Sequence, residues 1–140
     1  MKKETSIGAQ DTGPNRELTS RFIASINLAL DQHQTEKAIS LAQSLHYADL
    51  ADLLENLAHV RRAELVEALR NNFDPNVLSE LDEAVRERVI EQLGISQIAE
   101  AVAGLETDDA LEVVEELAAN ERLEILESLP ENYRMLIEQG

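Results

Sequence analysis

Apolar residues recur every 24 positions through most of this chain. Leu57, Leu81, Leu105 and Leu129 form one column, and Leu69, Leu93 and Leu117 a second. A third column reads Leu65, Val89, Val113 and Ile137, and a fourth reads Leu54, Leu78, Val102 and Leu126. A unit of that length cannot bury an apolar face by itself, so each unit must stack on its neighbours. The pattern predicts an all-α fold, a helical solenoid of stacked short helical hairpins. The six leucines from Leu57 to Leu117 in the first two columns are expected to be buried, with a cost of ~2–5 kcal/mol for truncating one to Ala. Stacked repeats present extended surfaces, which favours binding or regulation over catalysis.

The hairpins can be placed by their start and stop signals. Residues 1–15 mix charge, Gly, Ser and Pro without periodicity and read as a flexible N-terminal tail, leaving 16–140 as the helical domain. Leu18, Phe22, Ile26 and Leu30 lie on one face of a first helix, and Thr35 is the expected cap of a second, which carries Ala38, Ile39, Ala42 and Leu45. Paired helices then follow at about 46–57 and 60–71, 75–81 and 82–93, 96–104 and 108–118, and 121–128 and 130–139. Asp74 is the expected cap ahead of Pro75, whose missing N–H is harmless in a first turn. Gly94 is expected in the left-handed conformation that ends a helix. Thr107 and Asn120 are the expected caps of later helices.

Charge narrows the functions open to such a surface. The chain carries 28 acids and 12 bases, a net charge of −16. The imbalance is concentrated late: residues 1–97 hold 16 acids and 10 bases, whereas residues 98–140 hold 12 acids and only Arg122 and Arg134. An acidic surface repels phosphate backbones, which argues against nucleic acid as a partner. It suits cations, a basic partner, or solubility alone. With no cysteine, disulfides, thiol catalysis and thiolate metal sites are excluded. No run approaches the ~18 apolar residues of a membrane-spanning helix, so direct insertion by this segment is not expected. His33, His46 and His59 lack the spacing of a helical zinc site, and His46 and His59 fall near helix starts, where capping is the simpler role. No nucleophile elbow or glycine-rich phosphate loop is present, so the chain does not read as an enzyme.

Two groups of acids stand out. Glu67, Glu91 and Glu115 share one column of the repeat and would form a ladder along one edge. Asp108, Glu112 and Glu115 or Glu116 lie three or four apart on one helix, with Asp109 in the same first turn. Such groups are either solvated acidic faces favoured by the helix dipole or half-sites for a hard cation. Mg²⁺ typically keeps several waters and takes only one or two carboxylates, so any binding by this domain alone would be weak.

The stretches LHYADLADLLENL, RRAELVEAL, VLSELDEAVRERVIEQL, IAEAVAGLETDDALEVVEEL and ESLPENYRMLIEQG resemble the N-terminal cytosolic domain of the MgtE magnesium transporters, over about residues 17–140. The opening Leu45, His46, Asp49 and Leu50, and the run Leu105, Asp108 and Asp109, carry the more specific part of the likeness. The resemblance implies that the all-α stack is a right-handed superhelix of stacked short helical hairpins, and that it is a regulatory domain on the cytoplasmic side of the bacterial inner membrane. It would be followed by a pair of CBS domains and a dimeric membrane pore in the same polypeptide, with this chain a fragment ending at Gly140 about where the CBS pair begins. The resemblance further implies a magnesium sensor, in which Mg²⁺ between acidic surfaces of this domain and a CBS domain holds a closed state. Asp108 and Glu112 match the family's acidic positions facing the CBS pair, and Asp109 is their neighbour; the expected ligands are Asp108, Asp109 and Glu112, each partial and mostly water-mediated. Asn76 stands where some members carry a metal-facing acid, so a role there would shift to Asp74 or Glu80. The competing reading is an interaction module like that of flagellar rotor proteins, whose acidic face meets a basic partner without metal.

Overall fold

The computed structural model describes residues 16–139. Over these residues the chain is helical, with ten α-helices and no strand. The described residues divide into two compact units, with the boundary between Leu65 and Val66. The expected flexible tail, residues 1–15, lies outside the described residues.

In the first unit, α1 (Arg16–Asp31) packs on α2 (Thr35–Gln43) and on α3 (Tyr47–Asn56). Ile26 and Ala29 of α1 and Ala38 and Ala42 of α2 are buried, and the small side chains let the short helices approach closely. α1 ends where Gln34 N donates to Ala29 O (2.8 Å) and His33 takes a positive φ of 58°. The second helix begins at its expected cap: Gln34 occupies the cap position, one residue earlier, and Thr35 is already helical. At α3 the expected capping role of His46 is observed, its Nδ1 accepting from Ala48 N at 3.1 Å. Arg61 pairs with Asp31 and with Glu64, while Arg62 Nε donates to Leu54 O at 3.0 Å near the end of α3.

α4 (His59–Ala68) runs across the boundary and gives way to a single 3₁₀ turn at Arg70–Asn72, where the sequence suggested a continuous helix. The second unit then holds α5 (Asn76–Glu80), α6 (Glu83–Leu93), α7 (Ile95–Ala103), α8 (Thr107–Glu115), α9 (Ala119–Ser128) and α10 (Glu131–Gln139). Its helices stack in alternation: α5 on α8, α7 on α9, and α8 on α10. Asp74 accepts from Asn76 N at 3.0 Å, but the cap position of α5 is Pro75, one residue after the expected cap, because Pro75 has helical torsions without being the first helical residue. α6 is capped by Asp82, which accepts from Val85 N at 3.0 Å.

Three expectations about helix ends need correction. The cap position of α8 is Glu106, and Thr107 is its first helical residue. The cap position of α9 is Ala118, and Asn120 lies inside the helix; the free N–H of Ala118 is met instead by Glu121 reaching back (3.0 Å). Gly94 does have a positive φ, 92°, but its ψ of 147° is extended and not left-handed helical. That conformation, open to glycine, joins α6 to α7 through one residue.

The apolar columns form the core. Leu54, Leu65, Leu78 and Val102 are fully buried, and Leu57, Leu69, Leu81, Leu93, Leu117 and Leu129 nearly so. One of the six leucines expected to be buried departs, Leu105 being only half-buried; Leu126 of the fourth column is half-buried too. In the last repeat Ile125, not Leu126, is the fully buried residue of the pair.

Candidate functional site

The turn between α7 and α8 gathers the acids. Glu106 sits at the cap position with an extended backbone, and its carbonyl accepts from Ala110 N (2.9 Å). Its side chain makes no capping bond to α8, so the carboxylate is left to face outward. Asp108 and Asp109 follow in the first turn. One oxygen from each of Glu106, Asp108 and Asp109 comes within 4.8 Å of the others, and all three residues are exposed. No Lys, Arg or His pairs with them among the described residues. The positive end of the helix dipole favours negative charge here, offsetting part of their mutual repulsion.

Tyr133 of α10 holds the same turn from behind. Its hydroxyl lies 2.7 Å from Leu105 O in the turn and 3.1 Å from Val102 O near the end of α7, tying the two together. Burial, with the charge of Asp109 second, pushes the Tyr133 phenol above its ordinary value.

The structure therefore brings together two of the three acids expected from the sequence, Asp108 and Asp109, and adds Glu106. Glu112 is exposed one turn further along α8, outside the close group. Glu106 was legible only through the repeat register: it stands 24 positions after Asp82, the cap of α6. The ladder of acids does not act as one set. Arg70 holds Glu67 through two hydrogen bonds of 2.7 and 3.0 Å, while Glu91 and Glu115 are exposed. Those bonds, with a weaker one from Gln92, hold the Glu67 carboxyl below its ordinary 4.5. Arg70 also donates to Gln92 O and Leu93 O (each 3.1 Å), so it serves the end of α6 as well. Near Asn76, Asp74 Oδ1 is engaged by the Asn76 side chain at 2.9 Å, while Glu80 is exposed.

Three convergent, exposed carboxylates fit a hard, hydrated cation: oxygen donors only, high negative charge and room for water. Their exposure also means a single domain supplies only part of a coordination shell.

A domain of short helical hairpins with an acidic helix start is thus the class of protein that fold and site define. The sequence model of the MgtE intracellular N domain matches residues 45–140, and the chain belongs to that family. The fold is similar to that in the crystal structure of the soluble part of a magnesium transporter, with a TM-score of 0.62 at 17% sequence identity, covering 86% of this chain and 48% of that one. The chain thus spans about half the length of that relative. No curated protein matches the sequence. Among the described residues, no helix is long and apolar enough to cross a membrane.

Proposed function

We propose that this chain is the regulatory, magnesium-sensing domain of an MgtE-type transporter, with no catalytic role. In this reading Mg²⁺ bridges the acidic start of α8 to a CBS domain of the same polypeptide and favours a closed pore. The polypeptide forms a dimer, with this domain on the cytoplasmic side of the bacterial inner membrane. The observation that carries the reading is the close group of Glu106, Asp108 and Asp109, on a chain that belongs to the MgtE N-domain family. Asp108 and Asp109 are the proposed core ligands, Glu106 the added one, and Glu112 a neighbour on the same face.

Bound there, Mg²⁺ supplies positive charge between two surfaces that otherwise repel. The chain's own residues set how strongly. The exposed carboxylates keep their hydration and hold the ion through water, so affinity is low until a second surface adds donors. The ion then shifts the equilibrium toward whichever arrangement binds it better. Tyr133 and the α8 backbone fix where the carboxylates start from.

The test is an NMR titration of the chain with Mg²⁺ at constant ionic strength, with Asp108→Asn/Asp109→Asn as comparison. Selective, saturable shifts at Glu106–Glu112 that disappear in the double variant are expected. Shifts spread evenly over every acidic helix would show counter-ion condensation and sink the assignment.

A further inference from the structure

The open apolar side chains of the second unit collect at its last two helices. Leu123 of α9 and Met135 and Leu136 of α10 are 57%, 50% and 52% exposed. Among the described residues, the other large apolar side chains so open are Leu28 and Val60, both in the first unit. A single exposed leucine is ordinary, but three such residues within two short helices call for a reason.

The repeat supplies one. In α7, Ala99 is 2% exposed and Val102 is fully buried, and α9 is stacked on that helix. Their equivalents 24 positions later are Leu123, which is open, and Leu126, which is half-buried. α9 and α10 form the last described layer of the stack. A layer whose outer side meets only water is normally polar there. α9 instead presents leucines at the positions where its predecessor is covered. A helix laid on α9 as α9 lies on α7 would take both leucines out of water.

Charge chooses the kind of helix. On α9, Glu127 follows Leu123 by four residues, so the two share a face. On α10, Glu131 and Glu138 stand four before and three after Met135, again on its face. All three glutamates are exposed, whereas Arg122 and Arg134 are half-buried. A second copy of the chain, at a net charge of −16, is repelled from such a face. The matching surface is an apolar stripe flanked by Lys or Arg, whose methylene stems lie along the leucines while their charged ends reach the glutamates.

We infer that the outer side of α9 and α10 is a docking face for a basic amphipathic helix of a partner protein. The apolar stripe of that helix sits on Leu123, Leu126 and Met135, and its cations meet Glu127, Glu131 and Glu138. Docking needs no metal, so it does not rest on the Mg²⁺ reading of the α8 turn.

The probe is a synthetic peptide with leucines at i, i+3, i+4 and i+7 and lysines on both flanks. It is titrated into the full 140-residue chain in physiological salt with EDTA, by calorimetry and amide NMR. Saturable binding with shifts confined to α9 and α10 is expected. Leu123→Gln/Met135→Gln, both on the surface, should weaken it about tenfold, and glutamates in place of the peptide's lysines should abolish it. Leu28→Gln/Val60→Gln should leave it unchanged, and so should Asp108→Asn/Asp109→Asn. Equal affinity for a peptide of the same composition with its leucines scattered around the helix would overturn the proposal, as would unchanged affinity in the Leu123/Met135 variant. Three further results would give the face to another occupant and overturn it too. They are the same shifts on concentrating the chain alone (a second copy), binding of phosphatidylcholine vesicles through Leu123 (a membrane), and loss of peptide binding in a longer chain carrying residues after Gly140 (its own polypeptide).

Discussion

Two turns of the repeat, 24 positions apart, use the same places differently. At Leu81–Val85 the leucine is buried, Asp82 caps α6, and Val85 is buried. Arg86 then donates to Leu81 O at 3.4 Å while pairing with Glu121. At Leu105–Asp109 the leucine is half-buried, Glu106 makes no cap, and Asp109 takes the place of Val85 and is exposed. Ala110 replaces Arg86, and the carbonyl of Leu105 is met by Tyr133 instead. In the first turn Asp82 and Arg86 both serve the fold. In the second, three carboxylates are released from structural duty, and a distant hydroxyl does the closing. An acid is free for a cation where the framework has found another way to satisfy its backbone.

The largest expected difference between the turns is at their closing side chains. Arg86→Ala leaves the buried Glu121 without its partner and should cost about 3–5 kcal/mol. Tyr133→Phe removes one hydroxyl shared by two carbonyls and should cost about 1 kcal/mol. Urea denaturation of the two variants measures both, and equal losses would break the contrast. Next come the leucines: Leu81→Ala should cost ~2–5 kcal/mol, and Leu105→Ala, already half in solvent, under about 2 kcal/mol. A Leu105 variant as damaging as the Leu81 variant would show that the second turn is packed as firmly as the first. The caps give a smaller, sharper comparison. Asp82→Ala should lose about 1 kcal/mol, whereas Glu106→Ala should stay within about 0.5 kcal/mol of the parent.

The smallest effect concerns a third arrangement, an acid tied directly to a base. The Glu67 carboxyl lies below 4.5 in the folded chain because Arg70 and Gln92 donate to it. Its contribution to stability is therefore complete above the ordinary carboxylate value and is lost as pH falls through the lowered one. NMR titration of the Glu67 side chain should show its midpoint rising toward 4.5 in Arg70→Gln, and an unmoved midpoint would remove Arg70 as the cause.

Much of the fold could be read from the chain because it rests on spacing. Leu54, Leu65, Leu78 and Val102 are buried for the reason their columns imply: each lies on the inward face of a short stacked helix. The helix starts were harder. Thr35, Thr107 and Asn120 have side chains suited to capping, but a cap also needs an extended backbone at that residue, and the hairpin turns place it one or two residues earlier. The same shift hid Glu106. Asp108 and Asp109 are visible as first-turn acids, whereas an acid just outside the helix joins them only because the turn folds it back.

Gly94 is unusual in what it would reject. A Cβ built there would meet no atom within 4 Å, yet the backbone stands at φ +92°. The position has room at the first side-chain carbon and is strict about chirality. Alanine and leucine would be penalised nearly alike, because the strain arises at the first carbon of any L side chain and hardly grows beyond it. Mutational tolerance along this chain would therefore show two kinds of intolerant site: the leucine columns, graded by volume, and this single joint, where the penalty is all or nothing.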